Sequence, residues 1–220
     1  MTADLTHIDT WLFDLDNTLY PEESGFMGQV EGRMTDFVAR VTDLPRDQAY
    51  ILQKKYLAEH GLTLRGLMLN HGVDPADFHA LFHDLSLELL AHDADLLAAL
   101  ERLPGRRLIF TNADSKHAER VLAHLGLDHL FDDVFHIHSF GFTPKPDPLG
   151  FHRMIDAHGL TPATTAFFED SERNLKPAFD LDMTTILVGA RAEASTAPFV
   201  THRTTKLAPF LSGARLKETA

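Results

Sequence analysis

The chain has 220 residues, of which 44% are hydrophobic, so it can form one full α/β domain with a modest insertion. Its 32 acidic and 20 basic residues give a formal net charge of -12, which argues against a nucleic acid polymer as partner. It has no cysteine, no basic and apolar leader and no membrane-length apolar run, so we expect a cytoplasmic protein without disulfides, thiolate chemistry or a membrane partner.

The first predicted strand ends in two closely spaced carboxylates. Residues 8–13 are mostly apolar, as in a strand buried on both faces, and Asp14 and Asp16 follow. Open α/β sheets bind ligands at the carboxyl ends of their strands, so both side chains could face such a cleft. Two anions this close repel each other unless a cation, a proton or a basic side chain intervenes. The alternative is an Asx-type turn with two solvated acids.

Residues 21–90 show only the periodicity of helices. Amphipathic helices are predicted over residues 26–41 and 45–60. Two shorter helices follow, of which one ends near Gly72 and the other begins near Pro75 and carries Phe78, Leu81, Phe82 and Leu85. The second helix is expected to bury Ala49, Leu52, Tyr56 and Leu57. Because no strand pattern interrupts this stretch, it predicts a small all-helical domain inserted after the first strand.

From Asp93 onward, predicted helices alternate with predicted strands. The helices cover residues 96–103, 115–125, 147–158 and 174–181, and the strands lie near Leu108, at 134–137, near Phe167 and at 185–188. The tail adds only a weak strand near Phe199 and a helix near Leu207. Such alternation predicts a parallel sheet. We therefore predict a Rossmann-like α/β core with helices on both faces, formed by residues 1–20 and 91–220, and an all-helical domain at 21–90.

Polar residues also follow two later strands, and one lysine lies between prolines. The Leu108 strand ends in Thr111 and Asn112, and the Phe167 strand ends in Glu169 and Asp170, while Lys145 lies in the sequence TPKPDP. The carboxyl ends of parallel strands lie along one edge of a sheet. We therefore expect these strand-end side chains to lie near Asp14.

The ordered set of segments resembles the haloacid dehalogenase (HAD) superfamily of phosphotransferases. Its motifs are Asp-x-Asp-x-Thr, a strand-terminal Thr or Ser, a lysine and a pair of acids, and the resemblance covers about residues 8–189. The helical insertion is similar to the cap that some members carry after the first motif. FDLDNTLYP at 13–21, with EDSERN at 169–174, is most similar to the pyrimidine 5′-nucleotidase branch.

This resemblance implies a Mg²⁺-dependent phosphomonoester hydrolase that acts on a small phosphorylated metabolite, in this branch a nucleoside 5′-monophosphate. Asp16 favours phosphoryl transfer over dehalogenation, because the 2-haloacid dehalogenases lack the second aspartate. Within phosphoryl transfer, a sugar-phosphate or phosphoglycolate phosphatase and a phosphosugar mutase are the alternatives. An alternative of another class is a non-catalytic binding module with the same fold. Nothing in the sequence indicates the oligomeric state.

The resemblance also assigns roles to the acids. Asp14 is the candidate nucleophile, which would form an aspartyl-phosphate. Asp16 would protonate the leaving oxygen and then deprotonate water, although it could instead cap the turn. The implied Mg²⁺ ligands are Asp14, the backbone carbonyl of Asp16, and Asp170. Glu169 is expected to hold a metal-bound water, and Asn174 either orients Asp170 or begins a helix.

Three further residues are candidate phosphate ligands. Thr111 and the N–H of Asn112 lie at a predicted strand-to-helix turn, where exposed amides favour anions. Lys145 would neutralise the nucleophile and the phosphate together, whereas on its own such a lysine would be a solvated loop residue.

Among the 14 histidines, His136 and His138 alternate as on one face of a strand. Without an acid-histidine spacing beside them, we do not predict a zinc site there.

Overall fold

All six strands in the described part of the chain, residues 2–217 of the computed structural model, pair in parallel in one sheet. They are β1 (Thr10–Phe13), β2 (Arg106–Phe110), β3 (Asp133–Phe135), β4 (Thr165–Glu169), β5 (Thr184–Val188) and β6 (His202–Thr204). The strand order is β3-β2-β1-β4-β5-β6, which is the order of a Rossmann-like sheet. The predicted α/β fold class is therefore confirmed.

Strand β1 lies where the strand order reverses. It is paired with β2 on one side and β4 on the other, with Phe13 opposite Ile109 and Phe168. All four of its residues are buried, and the Phe13 and Phe168 rings stack with centroids 4.6 Å apart. The residues that follow β1, β2 and β4 consequently emerge side by side at one edge of the sheet, where open α/β sheets bind their ligands.

The helices agree with the predicted ones in most of their bounds. Those in the described residues are α1 (Phe26–Thr42), α2 (Arg46–His60), α3 (Thr63–His71), α4 (Pro75–His79), α5 (Ala94–Glu101), α6 (Ser115–Leu125), α7 (Pro148–His158), α8 (Glu172–Asp180) and α9 (Leu207–Gly213). Helix α6 ends at Leu125 and is capped by Gly126, whose φ of 71° is in the left-handed region that glycine tolerates best. Between residues 2 and 217, no helix is long and apolar enough to cross a membrane.

The chain divides into two compact units. One unit comprises the chain up to Ser24 and again from Leu90 onward, and the other is Gly25–Leu89. The second unit contains α1 to α4 and no strand among its described residues.

Within the helical unit, two expectations from the sequence are wrong in detail. Leu52 and Leu57 are only half-buried, and Gln53 is buried instead because its Oε1 accepts a 2.7 Å hydrogen bond from the Thr35 hydroxyl. The helix predicted from Pro75 is also short. Helix α4 ends at His79 and a 3₁₀ turn follows, so the buried Leu85 lies beyond the helix.

The last strand lies further along the chain than predicted. The sequence placed it near Phe199, but β6 pairs with β5 only at His202–Thr204. The Phe199 carbonyl instead accepts a 2.7 Å hydrogen bond from the Thr185 hydroxyl. A side-chain bond therefore replaces a rung of the backbone ladder at that position.

Candidate active site

Asp14 follows β1 directly and its carboxylate is buried. Its backbone N–H donates to the Phe168 carbonyl at 2.9 Å, which extends the β1–β4 ladder by one residue and fixes the side chain at the sheet edge. Its Oδ1 accepts from Lys145 Nζ at 2.7 Å, and the Thr18 hydroxyl lies 3.4 Å from Oδ2. Asp14 and Lys145 are 131 positions apart in the sequence, so this ion pair forms only in the folded protein.

Lys145 is a buried cation and not a solvated loop residue. Its side chain is 1% exposed, and Nζ donates to Asp14 Oδ1, Glu169 Oε2 and the Phe110 carbonyl, each at 2.7 Å. Asn112 holds the lysine backbone from both sides. Its amide donates to the Lys145 carbonyl at 3.2 Å, and its Oδ1 accepts from the Lys145 N–H at 2.9 Å. The residue after Thr111 thus fastens the lysine loop to the end of β2.

Three carboxylates gather beside this lysine. Asp14, Glu169 and Asp170 each offer an oxygen within 4.8 Å of the others. Burial, and then the charge of Glu169, raises the pKa of Asp14 to about 7. Burial also raises the pKa of Glu169 to about 7 and that of Asp170 to about 6. One ammonium therefore does not balance the negative charge that these groups carry when ionised.

The donor set of this cluster fits a small divalent cation that prefers oxygen. All three side chains supply hard carboxylate oxygens, as Mg²⁺ requires. Nearby, Asn17 Oδ1 and Asn174 Oδ1 are buried and have no hydrogen-bond partner among the described residues. Such acceptors are satisfied by the waters that Mg²⁺ keeps when it binds a protein. In the described part of the chain, the one group spaced for metal ligation consists of these acids and contains no histidine.

Asp16 has a different environment, because two side chains bind the same carboxylate oxygen. The Tyr20 hydroxyl donates to Asp16 Oδ1 at 2.6 Å, and His117 Nε2 lies 2.9 Å from that oxygen. Burial alone would raise the pKa of Asp16, but His117 and then Tyr20 outweigh it and hold this pKa below its ordinary value. Conversely, the charge of Asp16 overcomes the effect of burial and raises the pKa of His117.

His117 was not among the residues selected from the sequence, and Tyr20 entered only as part of a motif string. A signal for His117 is present nonetheless. It lies in the first turn of α6, directly after the strand end that carries Thr111, so the topology brings it to the same sheet edge as Asp16. A histidine in that turn is therefore a better candidate than His136 or His138, whose rings contact each other after β3.

The remaining candidate residues lie at the same edge with partners of their own. The buried Thr111 hydroxyl accepts from the Ala113 N–H at 3.0 Å. Glu169 Oε1 accepts from the Ser171 N–H at 3.2 Å. Asp170 receives a long hydrogen bond of 3.4 Å from the Asn17 amide, and no bond to it from Asn174 is present in the described residues.

Comparison with known proteins places this chain among enzymes of related sequence. A family model described as haloacid dehalogenase-like hydrolase matches residues 8–182. Phosphate metabolism protein 8 of Saccharomyces cerevisiae is 30% identical over 189 residues, which are 79% of this chain and 59% of that protein. The GMP/IMP nucleotidase YrfG of Escherichia coli is 37% identical over 82 residues, which are 37% of this chain and 36% of that protein.

A solved structure agrees with the sequence relatives. A HAD phosphatase from Thermococcus onnurineus has a TM-score of 0.66 and 19% identity, with 94% of this chain and 100% of that chain covered. At this identity the likeness shows the fold, and the family model supplies the relationship. Because that model covers most of the chain, the protein belongs to the haloacid dehalogenase-like hydrolase family.

Proposed function

We propose that this protein is a Mg²⁺-dependent phosphomonoester hydrolase that works through an aspartyl-phosphate on Asp14. The proposal depends on one observation, which is that the neighbouring carboxylates of Asp14 and Asp16 lie in different environments. Asp14 is paired with Lys145 beside two further acids, whereas Asp16 is bound by Tyr20 and His117. Two acids with different surroundings can take different roles, one as nucleophile and the other as acid and base.

In the first step, an oxygen of the Asp14 carboxylate attacks phosphorus and the bond from phosphorus to the leaving oxygen breaks. In the free site His117 and Tyr20 favour the carboxylate form of Asp16, but the negative charge of a bound phosphate ester opposes this and favours its protonated form. Asp16 then gives its proton to the leaving oxygen, so the product leaves as an alcohol. In the second step, Asp16, now a carboxylate, takes a proton from water while the water oxygen attacks phosphorus. The bond to Asp14 breaks, which releases inorganic phosphate and restores both carboxyl groups.

The proposed Mg²⁺ would be held by Asp14, the backbone carbonyl of Asp16, and Asp170, with Glu169 and Asn174 beside its waters. When bound, it neutralises the phosphate and lowers the pKa of the nearby carboxylates, which keeps the nucleophile ionised. Lys145 already lies against the nucleophile, 2.7 Å from Asp14 Oδ1. Thr111 and the N–H of Asn112 are the proposed phosphoryl ligands at the β2–α6 turn.

We propose nucleoside 5′-monophosphates as the substrates. The similarity of residues 13–21 to pyrimidine 5′-nucleotidases supports this class, and so does the name of the E. coli relative, a GMP/IMP nucleotidase. The first likeness indicates pyrimidine nucleotides and the second indicates purine nucleotides, so the proposal includes nucleotides of both base types. The chain spans 59% of the yeast relative and 36% of the E. coli one, so substrate assignment needs a direct test.

A hydrolysis screen with Mg²⁺ tests this substrate class. The panel comprises CMP, UMP, GMP, IMP, ribose 5-phosphate, phosphoglycolate and glucose 1-phosphate, with phosphate release measured against an Asp14→Asn blank. We expect a nucleoside 5′-monophosphate to exceed the other esters in kcat/KM by at least about tenfold, which a few pocket contacts can supply. Preference for phosphoglycolate or a sugar phosphate would contradict the substrate class, and an isomerised phosphosugar would indicate a mutase.

Activity is expected to require a divalent cation. Removal of metal with EDTA should abolish hydrolysis of p-nitrophenyl phosphate and added Mg²⁺ should restore it, because three acids that lie together would repel an anionic substrate unless a cation were bound between them. The measurement is the initial rate across a Mg²⁺ titration after exhaustive chelation. Full activity in the chelated enzyme would refute the mechanism.

A further inference from the structure

The Asp16 carboxylate is held at one oxygen by two side chains that reach it from different parts of the chain. The Tyr20 hydroxyl, four residues after Asp16 in the sequence, donates to Oδ1 at 2.6 Å. His117, 101 residues after Asp16, places its Nε2 2.9 Å from the same oxygen. Both partners are buried, with 3% of Tyr20 and 4% of His117 exposed. The contact therefore lies inside the protein, where water does not compete strongly for the hydrogen bonds.

His117 is itself fixed to the backbone independently of Asp16. Asp114 precedes helix α6 as its N-cap, and its Oδ1 accepts from the His117 N–H at 2.8 Å. One turn earlier, the Thr111 hydroxyl accepts from the Ala113 N–H at 3.0 Å. These two hydrogen bonds stabilise the turn between β2 and α6, and the His117 side chain extends from the helix that begins there.

Both of these contacts fall on Oδ1 of Asp16. A general acid and base must present one oxygen to the leaving group and later to water, and a small rotation of the carboxyl group misplaces it. On the basis of the proposed function, we propose that His117, together with Tyr20, is a positioning residue that fixes the orientation of the Asp16 carboxyl group toward the reacting oxygen. The proposed function already assigns roles to Asp14, Asp16, Thr111 and Lys145, and the role of His117 is additional to them.

A purely structural role for His117 gives different consequences. If the imidazole only stabilised the β2–α6 turn, its loss would lower stability and would affect all esters alike. A positioning role acts through Asp16 and therefore matters most where the leaving oxygen needs a proton. Alkyl esters need that proton, whereas p-nitrophenolate leaves without it. The leaving group consequently separates the two roles.

The test compares His117→Leu, which removes the ring nitrogens, with His117→Gln, whose side-chain Nε2 can donate to Asp16 Oδ1. Single-turnover phosphorylation is measured with UMP as the alkyl ester and with p-nitrophenyl phosphate as the aryl ester. We expect His117→Leu to slow the UMP reaction by about 10- to 100-fold with KM unchanged, as a misplaced catalytic group does. The aryl reaction should change little, and His117→Gln should recover most of the loss.

Two matched variants complete the design. His124 lies on the same helix and its Nε2 is 2.9 Å from the Leu90 carbonyl, so His124→Leu removes a similar contact away from Asp16. It should leave the ratio of alkyl to aryl rates unchanged. Tyr20→Phe deletes only the second donor and should reduce the UMP rate in the same direction, which keeps the test valid if His117→Leu does not fold.

A double-mutant cycle with Asp16→Asn gives the decisive outcome. If His117 acts through Asp16, adding His117→Leu to Asp16→Asn should have almost no further effect on the UMP rate. Additive losses, or equal losses for both esters in His117→Leu, would overturn the positioning role while the hydrolase assignment stands. Failure of the wild-type enzyme to hydrolyse either ester would overturn the hydrolase assignment and this inference with it.

Discussion

Replacement of Asp14 by asparagine is expected to reduce turnover by at least about four orders of magnitude, as the loss of a covalent nucleophile does. The amide keeps the shape of the side chain, and its oxygen can still accept the hydrogen bond from Lys145. It cannot form the acyl-phosphate bond. The measurement is phosphate release from UMP and p-nitrophenyl phosphate by freshly prepared variant.

The fold of this variant should survive, which separates chemistry from stability. Burial raises the pKa of Asp14 to about 7, above that of an unfolded chain. The ionisation of Asp14 therefore lowers the free energy of unfolding as the pH rises from about 4, near the pKa of an unfolded chain, to about 7. Asparagine does not ionise, so it removes this effect. In metal-free buffer above the pKa we expect the variant to melt no lower than the wild type.

Asp93→Asn is a suitable control for Asp14→Asn. Asp93 caps helix α5 by accepting from the Leu96 N–H at 2.9 Å, a role that asparagine fills equally well. The same chemical change away from the site should leave turnover intact. Near wild-type rates in Asp14→Asn would show that another group is the nucleophile.

Replacement of Asp16 by asparagine should have an effect that depends on the leaving group. General acid–base assistance is typically worth about 10² to 10⁴ in rate, so hydrolysis of nucleoside 5′-phosphates should fall by that amount. Phosphorylation by p-nitrophenyl phosphate should be affected less, because its phenolate leaves unaided. Stopped-flow absorbance during the first turnover measures this step.

The second step should be slow for every substrate, because the same residue must activate water. We therefore expect a burst of phenolate followed by slow turnover, with the aspartyl-phosphate on Asp14 detectable by intact-protein mass spectrometry. A mutase would pass the phosphoryl group to a sugar hydroxyl faster than to water, and a binding module would give no burst. Equal losses for aryl and alkyl esters without a trapped intermediate would make Asp16 a structural turn residue.

The fold could be predicted from local patterns wherever one pattern dominated. Helix α6 has the bounds expected from its periodicity and from Gly126, and the strands that meet at the sheet edge were each evident as apolar runs. Predictions were wrong where a tertiary contact outweighed the local pattern. Gln53 is buried because Thr35 satisfies it, and β6 is displaced because Thr185 bonds the Phe199 carbonyl.

Within the site, sequence order predicted which strand ends would meet but not which atoms would touch. The predicted acids lie together because parallel strands share an edge, and Lys145 joins them through a loop whose path no local rule fixes. The contact of His117 with Asp16 spans 101 residues. Its position in the first turn of α6 indicates the correct sheet edge, but only the packed fold shows that its Nε2 reaches Asp16 Oδ1.

The three hydrogen bonds of Lys145 have a consequence for the order of events during turnover. An ammonium has three donors, and here Asp14, Glu169 and the Phe110 carbonyl accept all of them. A phosphoryl oxygen can therefore gain a hydrogen bond from this lysine only by exchange with one of these acceptors. In the proposed mechanism Asp14 would be the acceptor that is released, because its carboxylate loses its negative charge when it forms the acyl phosphate. Lys145 would then exchange Asp14 for a phosphoryl oxygen as its hydrogen-bond acceptor without changing its own position.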